Sequence, residues 1–279
     1  MRPLVSVVIP TRDRPEMLRA ALASVRAQTF TDYDVVVVIN GPNNPQTPLN
    51  AEIAGAAGAR IVRIERAGIA VALNAGVQAA AGEWIAFLDD DDLWEPNRLA
   101  VTLRAAEALK ADVMFGNIVK FDDRGEAADP PLRPPPSASV REAMTLRNCG
   151  GGCSPTMARR AAILAVGGFD ETLKSPDWDL WMRLTWRYPV AWDDAYLVRV
   201  RDHRENTSKQ LSWATSTLLI QWKSFRTLPR DLRHLRPHIL LQMAKVAIKP
   251  IERYIRQNWL RPLRELVGWK TASRRTPPA

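Results

Sequence analysis

Two sets of carboxylates stand out by position: Asp89-Asp90-Asp91-Asp92, which closes the apolar run Trp84-Ile85-Ala86-Phe87-Leu88, and Asp177, in Ser175-Pro176-Asp177-Trp178-Asp179-Leu180-Trp181. Four adjacent carboxylates repel one another, and solvent, protonation or a bound cation must relieve that repulsion. Hard oxygen donors favour Mg²⁺ or Mn²⁺ over zinc. If strand geometry persists through the run, Asp89 and Asp91 share one face and Asp90 and Asp92 the other, which makes Asp89 and Asp91 the expected cation pair. The same residues suit a solvated acidic turn, with Asp92 capping a helix over 95–110. Asp177 opens a helical pattern, as a plain cap or as a carboxylate held at the positive helix end. His203 is the one histidine outside the basic tail, and a lone histidine is more often structural than catalytic or ligating.

The elements that must position these groups are legible in the pattern. Residues 4–9 and 35–39 are β-branched runs suited to strands buried on both faces. A helix is expected from Pro15 to Ala27, with Met17, Leu18, Ala21, Leu22 and Val25 on one face. Residues 50–58 and 69–81 read as helices, 60–64 and 84–88 as strands. This β-α-β-α-β-α-β order predicts a parallel sheet with right-handed crossovers and a ligand edge at the strands' carboxyl ends. Further strands are expected over 113–121 and 190–200, a strand and helix over 155–166, a glycine-rich pocket wall over 148–154, and helices from about Leu211, broken at Pro229, Pro237, Pro250 and Pro262.

A chain of 279 residues, 46% of them hydrophobic, suits one large domain or one with an appendage. No stretch is apolar for the roughly 18 to 20 residues a bilayer span needs, and Met1-Arg2-Pro3-Leu4 runs straight into a strand pattern, so an intracellular, cytoplasmic protein is expected. Cys149 and Cys153 are the two cysteines, too few for a disulfide framework, and free thiols are expected. The net charge of +9 is concentrated at one end: residues 223–279 hold 14 Lys and Arg against 3 acidic residues, leaving 25 basic and 27 acidic groups in residues 1–222. Residues 250–261 place Ile251, Tyr254, Ile255 and Trp259 at helical spacing among Lys249, Arg253, Arg256 and Arg261. That pattern fits an anionic membrane surface and equally a helix packed on the domain; no nucleic-acid motif accompanies the charge.

Taken in order, several motifs are similar to those of the inverting family-two glycosyltransferases. They are Val5-Ser6-Val7-Val8-Ile9-Pro10-Thr11 with Gln28-Thr29-Phe30, Gly68 with Asn74-Ala75-Gly76, Gly82 to Asp92, Gly167-Gly168-Phe169-Asp170-Glu171, and Asp177-Trp178-Asp179-Leu180-Trp181-Met182-Arg183. The resemblance implies an α/β fold of GT-A type: a Rossmann-like, mostly parallel sheet flanked by helices, with a C-terminal helical extension. The catalytic domain would span 1–208, its 1–112 half binding the nucleotide-sugar and its 113–208 half the acceptor, with a basic helical extension over 209–279. Pro10, Thr11, Arg12, Arg14, Asn40, Gly68, Asn74, Asp89 and Asp90 would contact the donor. Asp91, Asp89 and His203 would hold Mn²⁺ or Mg²⁺, and Asp177 would be the catalytic base. The implied partners are a nucleoside-diphosphate sugar and a glycan or lipid-linked acceptor, as in bacterial surface polysaccharide or glycolipid synthesis, at the inner face of the membrane if the tail binds there; no nucleic acid is expected.

Three departures from that pattern bear on the donor. The second strand ends Asn40-Gly41-Pro42 where relatives usually carry Asp-Asp-Gly-Ser. Leu73 replaces the usual arginine before Asn74, and Pro176 the usual glutamate before Asp177. A binding protein that has lost turnover is therefore the alternative, and a sugar-nucleotide pyrophosphorylase a more distant one.

Overall fold

Valine- and isoleucine-rich runs build the first layer of this fold, seen in a computed structural model that describes residues 2–122, 124–128, 130, 139–202 and 212–255, with backbone alone at 128, 212–214 and 249–255. Strand β1 (Val5–Thr11) is buried along its whole length. Helix α1 (Pro15–Arg26) starts on a proline, whose missing N–H costs nothing in a first turn, and turns Leu18, Ala21, Leu22 and Val25 to the core. Then follow β2 (Tyr33–Asn40), α2 (Thr47–Ala56), β3 (Arg60–Ile64), α3 (Ile69–Ala79) and β4 (Trp84–Phe87). Gly76 lets α3 lie directly on the sheet, since a Cβ there would come within 2.3 Å of Val8 Cγ1.

Beyond β4 the chain forms β5 (Leu93–Trp94), α4 (Arg98–Ala108), β6 (Val113–Asp122), β7 (Gly125–Ala128), α5 (Val140–Leu146), β8 (Met157–Arg159), α6 (Arg160–Ala165), α7 (Asp177–Thr185) and β9 (Val190–Arg201). One sheet runs β3-β2-β1-β4-β8-β6-β9-β5, with β7 beside β6. The first four strands pair in parallel, as does β6 with β9; β8, β7 and β5 add antiparallel ladders. The core beneath the carboxyl edge is aromatic. Phe87, Phe115 and Phe169 pack around the fully buried Trp181 of α7, with ring centroids 5.8 to 6.0 Å from it.

The expected helix over 95–110 is corrected. Glu95 precedes Pro96, which disfavours helical backbone at that residue, and its N–H donates to Leu197 O. The chain therefore stays extended through β5, and α4 begins at Arg98. Helix α8 (Ser212–Thr227), a 3₁₀ turn over Arg230–Leu235 and α9 (Arg236–Ile255) follow. The expected break at Pro250 is also corrected, because α9 runs through it, and Pro237 falls harmlessly in the first turn. Helix α8 is packed onto the sheet domain: Ile220 joins the core that holds Val8 and Trp181. Lys223 Nζ reaches Asp170 at 2.6 Å and the fully buried Asp179 at 2.9 Å. Among the described residues no helix is long and apolar enough to cross a membrane. The expected domain boundary at 208 lies outside the described residues.

Candidate active site

Strand β4 stops two residues short of the aspartates, so the expected alternation of faces is overturned. Leu88 N–H still donates to Val8 O, after which Asp92 N–H donates back to Asp89 O at 3.1 Å and closes a tight turn. In that turn Asp89, Asp91 and Asp92 each bring a carboxylate oxygen within 4.8 Å of the other two. Asp90 faces the first strand instead, accepting a hydrogen bond from Thr11 Oγ1 at 2.7 Å. Arg14 Nη1 lies 2.7 Å from Asp91 Oδ2 and 3.4 Å from Asp90 Oδ1.

Asp92 does not cap α4, whose cap position is Asn97. It is buried, accepting Ser154 Oγ–H at 2.6 Å and Arg201 N–H at 3.0 Å. Ser154 Oγ in turn accepts from Asp89 N–H at 3.0 Å, so one hydroxyl ties both ends of the turn. The loop that carries Ser154 is held by the buried Arg98, whose Nη2 donates to Pro155 O at 3.0 Å.

Burial, then mutual repulsion, pushes these carboxyls up. Asp89 lies well above the ordinary range, through burial first and then the charges of Asp92, Asp91, Asp90 and Asp177. Burial raises Asp92 to about 7 and Asp90 to about 6, the latter despite the Thr11 hydrogen bond. Three hard-oxygen ligands within reach of one another, with their charged forms disfavoured, fit a divalent cation of the Mg²⁺ or Mn²⁺ type.

A pH dependence follows. In the folded chain Asp90 and Asp92 keep protons that an unfolded aspartate releases near pH 3.9. Their stabilising contribution is thus complete below that pH and is lost as pH rises through about 6 and 7. Asp170, held down to about 2 in spite of its burial by hydrogen bonds from Lys223 and Thr172, stays charged throughout this window. Thermal unfolding in the presence of a chelator should therefore show Tm falling from about pH 4 to about pH 7, roughly the interval between the unfolded and folded values. Excess Mn²⁺ should abolish the fall; a Tm that rises over this interval without metal would contradict the assignment.

Asp177 is the first residue of α7, a helix fixed by Trp181, so the expected helix start is borne out. Asn148 Nδ2 donates to Asp177 Oδ2 at 2.9 Å and to Gly151 O at 2.8 Å, while its Oδ1 accepts from Gly150 N–H at 3.0 Å. Gly150 is required here: a Cβ would stand 2.7 Å from the Phe115 ring and 3.0 Å from Trp181. Burial raises the Asp177 carboxyl, partly offset by hydrogen bonds from the Trp178 N–H and Asn148. Its charge is also felt at Asp89 and at the buried Cys153 thiol, which burial pushes well up. The base candidate and the acidic turn therefore share one electrostatic site, with free Cys153 between them in sequence and in effect.

The remaining expected residues divide. Arg12 and Gly68 line a cavity of about 720 Å³ together with Arg66, Val71, Glu171 and Lys174. Asn40 stands at its edge, where its Oδ1 accepts from Gly68 N–H at 2.9 Å. Pro10 is buried within β1. Asn74 is tied to the cavity wall through Glu171: its Nδ2 donates to Phe169 O and Glu171 Oε1 at 2.9 and 3.0 Å, and its Oδ1 accepts from Phe169 N–H at 2.8 Å, so its amide holds the Gly167–Glu171 loop. His203 lies outside the described residues. Asn148, Ser154 and the ligand position of Asp92 were missed by the motif reading. An Asn or Ser in a glycine-rich loop gives a turn signal, and only the fold brings that loop to the aspartates.

A family model described as Glycosyl transferase family 2 matches residues 6–167. Among curated proteins, an uncharacterized glycosyltransferase of Rickettsia felis is 27% identical over 80% of this chain and 38% of its own length. The chain thus spans less than two fifths of that relative. The amylovoran biosynthesis glycosyltransferase AmsE of Erwinia amylovora is 25% identical over 75% of this chain and 79% of its own. Among solved structures, S. aureus TarS in complex with UDP-GlcNAc superposes with a TM-score of 0.69 at 18% identity, over 92% of this chain and 74% of that one. The mannosyltransferase PcManGT of Pyrobaculum calidifontis, in complex with GDP-Man and Mn²⁺, gives 0.63 at 17% identity, over 97% and 82%.

Proposed function

Because the chain belongs to glycosyl transferase family 2, with the mixed α/β architecture of GT-A glycosyltransferases, we propose that it transfers a sugar from a nucleoside-diphosphate sugar to an acceptor hydroxyl with inversion. The observation that carries this reading is the convergence of the Asp89, Asp91 and Asp92 carboxylates in one turn, joined to Asp177 by the 148–154 loop, whose Ser154 bonds the turn and whose Asn148 bonds Asp177.

In this reading Asp89, Asp91 and Asp92 hold a Mn²⁺ or Mg²⁺ ion. Bound there, the ion would offset the charge that builds on the departing diphosphate. Arg14 supplies a positive charge beside Asp91, suited to a diphosphate oxygen, and Thr11 fixes Asp90 on the donor side. Arg12 and Gly68 line the cavity for the nucleoside, with Asn40 at its edge holding the Gly68 N–H. Asp177 takes the proton of the acceptor hydroxyl, with Asn148 holding one carboxylate oxygen so that the other can face the acceptor. The raised position of its carboxyl makes it a stronger base than an exposed aspartate once ionised. Displacement in one step on the face opposite the leaving group needs no covalent enzyme intermediate. The acceptor class proposed is a glycan or lipid-linked saccharide of surface polysaccharide synthesis, a reading that the amylovoran-pathway relative supports, with the reaction on the cytoplasmic side of the membrane.

A hydrolysis screen over UDP-, GDP- and dTDP-sugars tests this. One nucleotide class should be turned over, and only with Mn²⁺ or Mg²⁺ present. Equal inertness toward every donor, with metal and without, would favour a binding protein that has lost turnover.

A further inference from the structure

Helix α9 is apolar on two sides, and one of them is bare. Ile239 and Val246 are buried against the domain. Pro237, Leu240, Leu241, Ala244, Ala247 and Ile248 are all exposed, and at 100° per residue these six fall within an arc of about 120°. Leu240, Leu241 and Ile248 are 48%, 55% and 48% exposed. Exposed His238 and Lys245 border the arc. On the packed neighbour α8, Leu219 and Trp222 are 48% and 47% exposed, three residues apart, with exposed Arg226 next on that face; Trp222 stacks on Phe225 at 5.9 Å. Grouped apolar side chains of this size on a protein's outside mark a contact surface.

The charge around this face selects its occupant. Residues 212–248 hold six lysines and arginines against one acidic residue, Asp231; Asp231 pairs with Arg141, and Lys223 is turned to Asp170 and Asp179 of the domain, which leaves Arg226, Arg230, Arg233, Arg236 and Lys245 as the cations of this region. A second copy would bring the same cationic face against itself. Residues 256–279, the remainder of the chain, are also basic, with six lysines and arginines and one glutamate. Neither complements the patch. An anionic lipid surface does: it takes leucine, isoleucine and tryptophan into its outer layer and lysine and arginine at its headgroups.

We infer that the exposed apolar face of α9 docks the protein on an anionic membrane surface. This surface is distinct from residues 250–261, whose side chains lie outside the described set. It also does not depend on the identity of the donor.

Flotation of the full-length protein with phosphatidylglycerol-containing vesicles tests the inference. Wild type should float with these vesicles and not with phosphatidylcholine alone. The triple variant L240E/L241E/I248E should bind about tenfold more weakly or worse. L109E, at a leucine 55% exposed elsewhere on the fold, should float like wild type. Should the triple variant fail to fold, R226E/K245E, which leaves the apolar residues in place, should show the same loss. Donor hydrolysis in solution should be unchanged in all these variants, which separates this test from that of the catalytic reading. Failure of wild type to float, or equal flotation of both variant sets, would overturn the inference. So would a wild-type dimer that the triple variant dissociates, which would assign the face to a second copy.

Discussion

Asp177→Asn is expected to lower kcat for sugar transfer by about a thousandfold, within the range that loss of a positioned general base produces, while donor affinity stays within a factor of about two. The amide matches the carboxylate in shape, and Asn148 Nδ2 can donate to its oxygen as it does to Asp177 Oδ2. The fold should not suffer. Burial already disfavours the charged carboxylate, so a neutral isostere removes an unfavourable charge at the start of α7. Steady-state transfer kinetics with a binding titration of the donor check both parts. Normal turnover would assign the proton to another group.

Asp91→Ala should fail differently. It removes one of the three converging carboxylates and the nearer of the two aspartates beside Arg14 Nη1. Donor turnover should fall by about a hundredfold to a thousandfold, the loss typical when a group that stabilises leaving-group charge is deleted, and the residual rate should no longer respond to Mn²⁺. Asp92→Ala makes a useful contrast. Asp92 also satisfies Ser154 Oγ and the Arg201 N–H, so its loss should lower Tm as well as activity, whereas Asp91→Ala should be close to neutral in stability. Activity assays with Mn²⁺ titration, alongside thermal unfolding, separate the two.

The parallel half of the sheet could be read from the chain because its signals are local. β-Branched runs in β1 and β2 and the proline that opens α1 each act within a few residues. Asp177 was legible for a similar reason, as an acid opening an amphipathic helix. Strand alternation and an acidic turn both suit the Asp89–Asp92 sequence, and distant partners decide for the turn. Period-two alternation assumes the strand continues, yet Ser154, 62 residues beyond Asp92, and Arg201, 109 beyond it, bend the run into a turn. That bend brings the Asp92 carboxylate beside those of Asp89 and Asp91 and sends Asp90 to Thr11. Asn74 shows the opposite case: a residue legible as part of a motif turns out to hold a loop through Phe169 and Glu171. In α9 the open apolar stripe emerges only once the buried side, at Ile239 and Val246, is known.

An acidic turn that binds a cation and a nucleoside diphosphate together should couple their affinities. Calorimetric titration of UDP, GDP and dTDP into wild type and Asp91→Ala, each with and without Mn²⁺, measures that coupling. One nucleotide should bind wild type at least about tenfold more tightly with Mn²⁺ than without it, and Asp91→Ala should lose this gain. Nucleotide binding of equal strength with and without metal in both proteins would contradict that coupling.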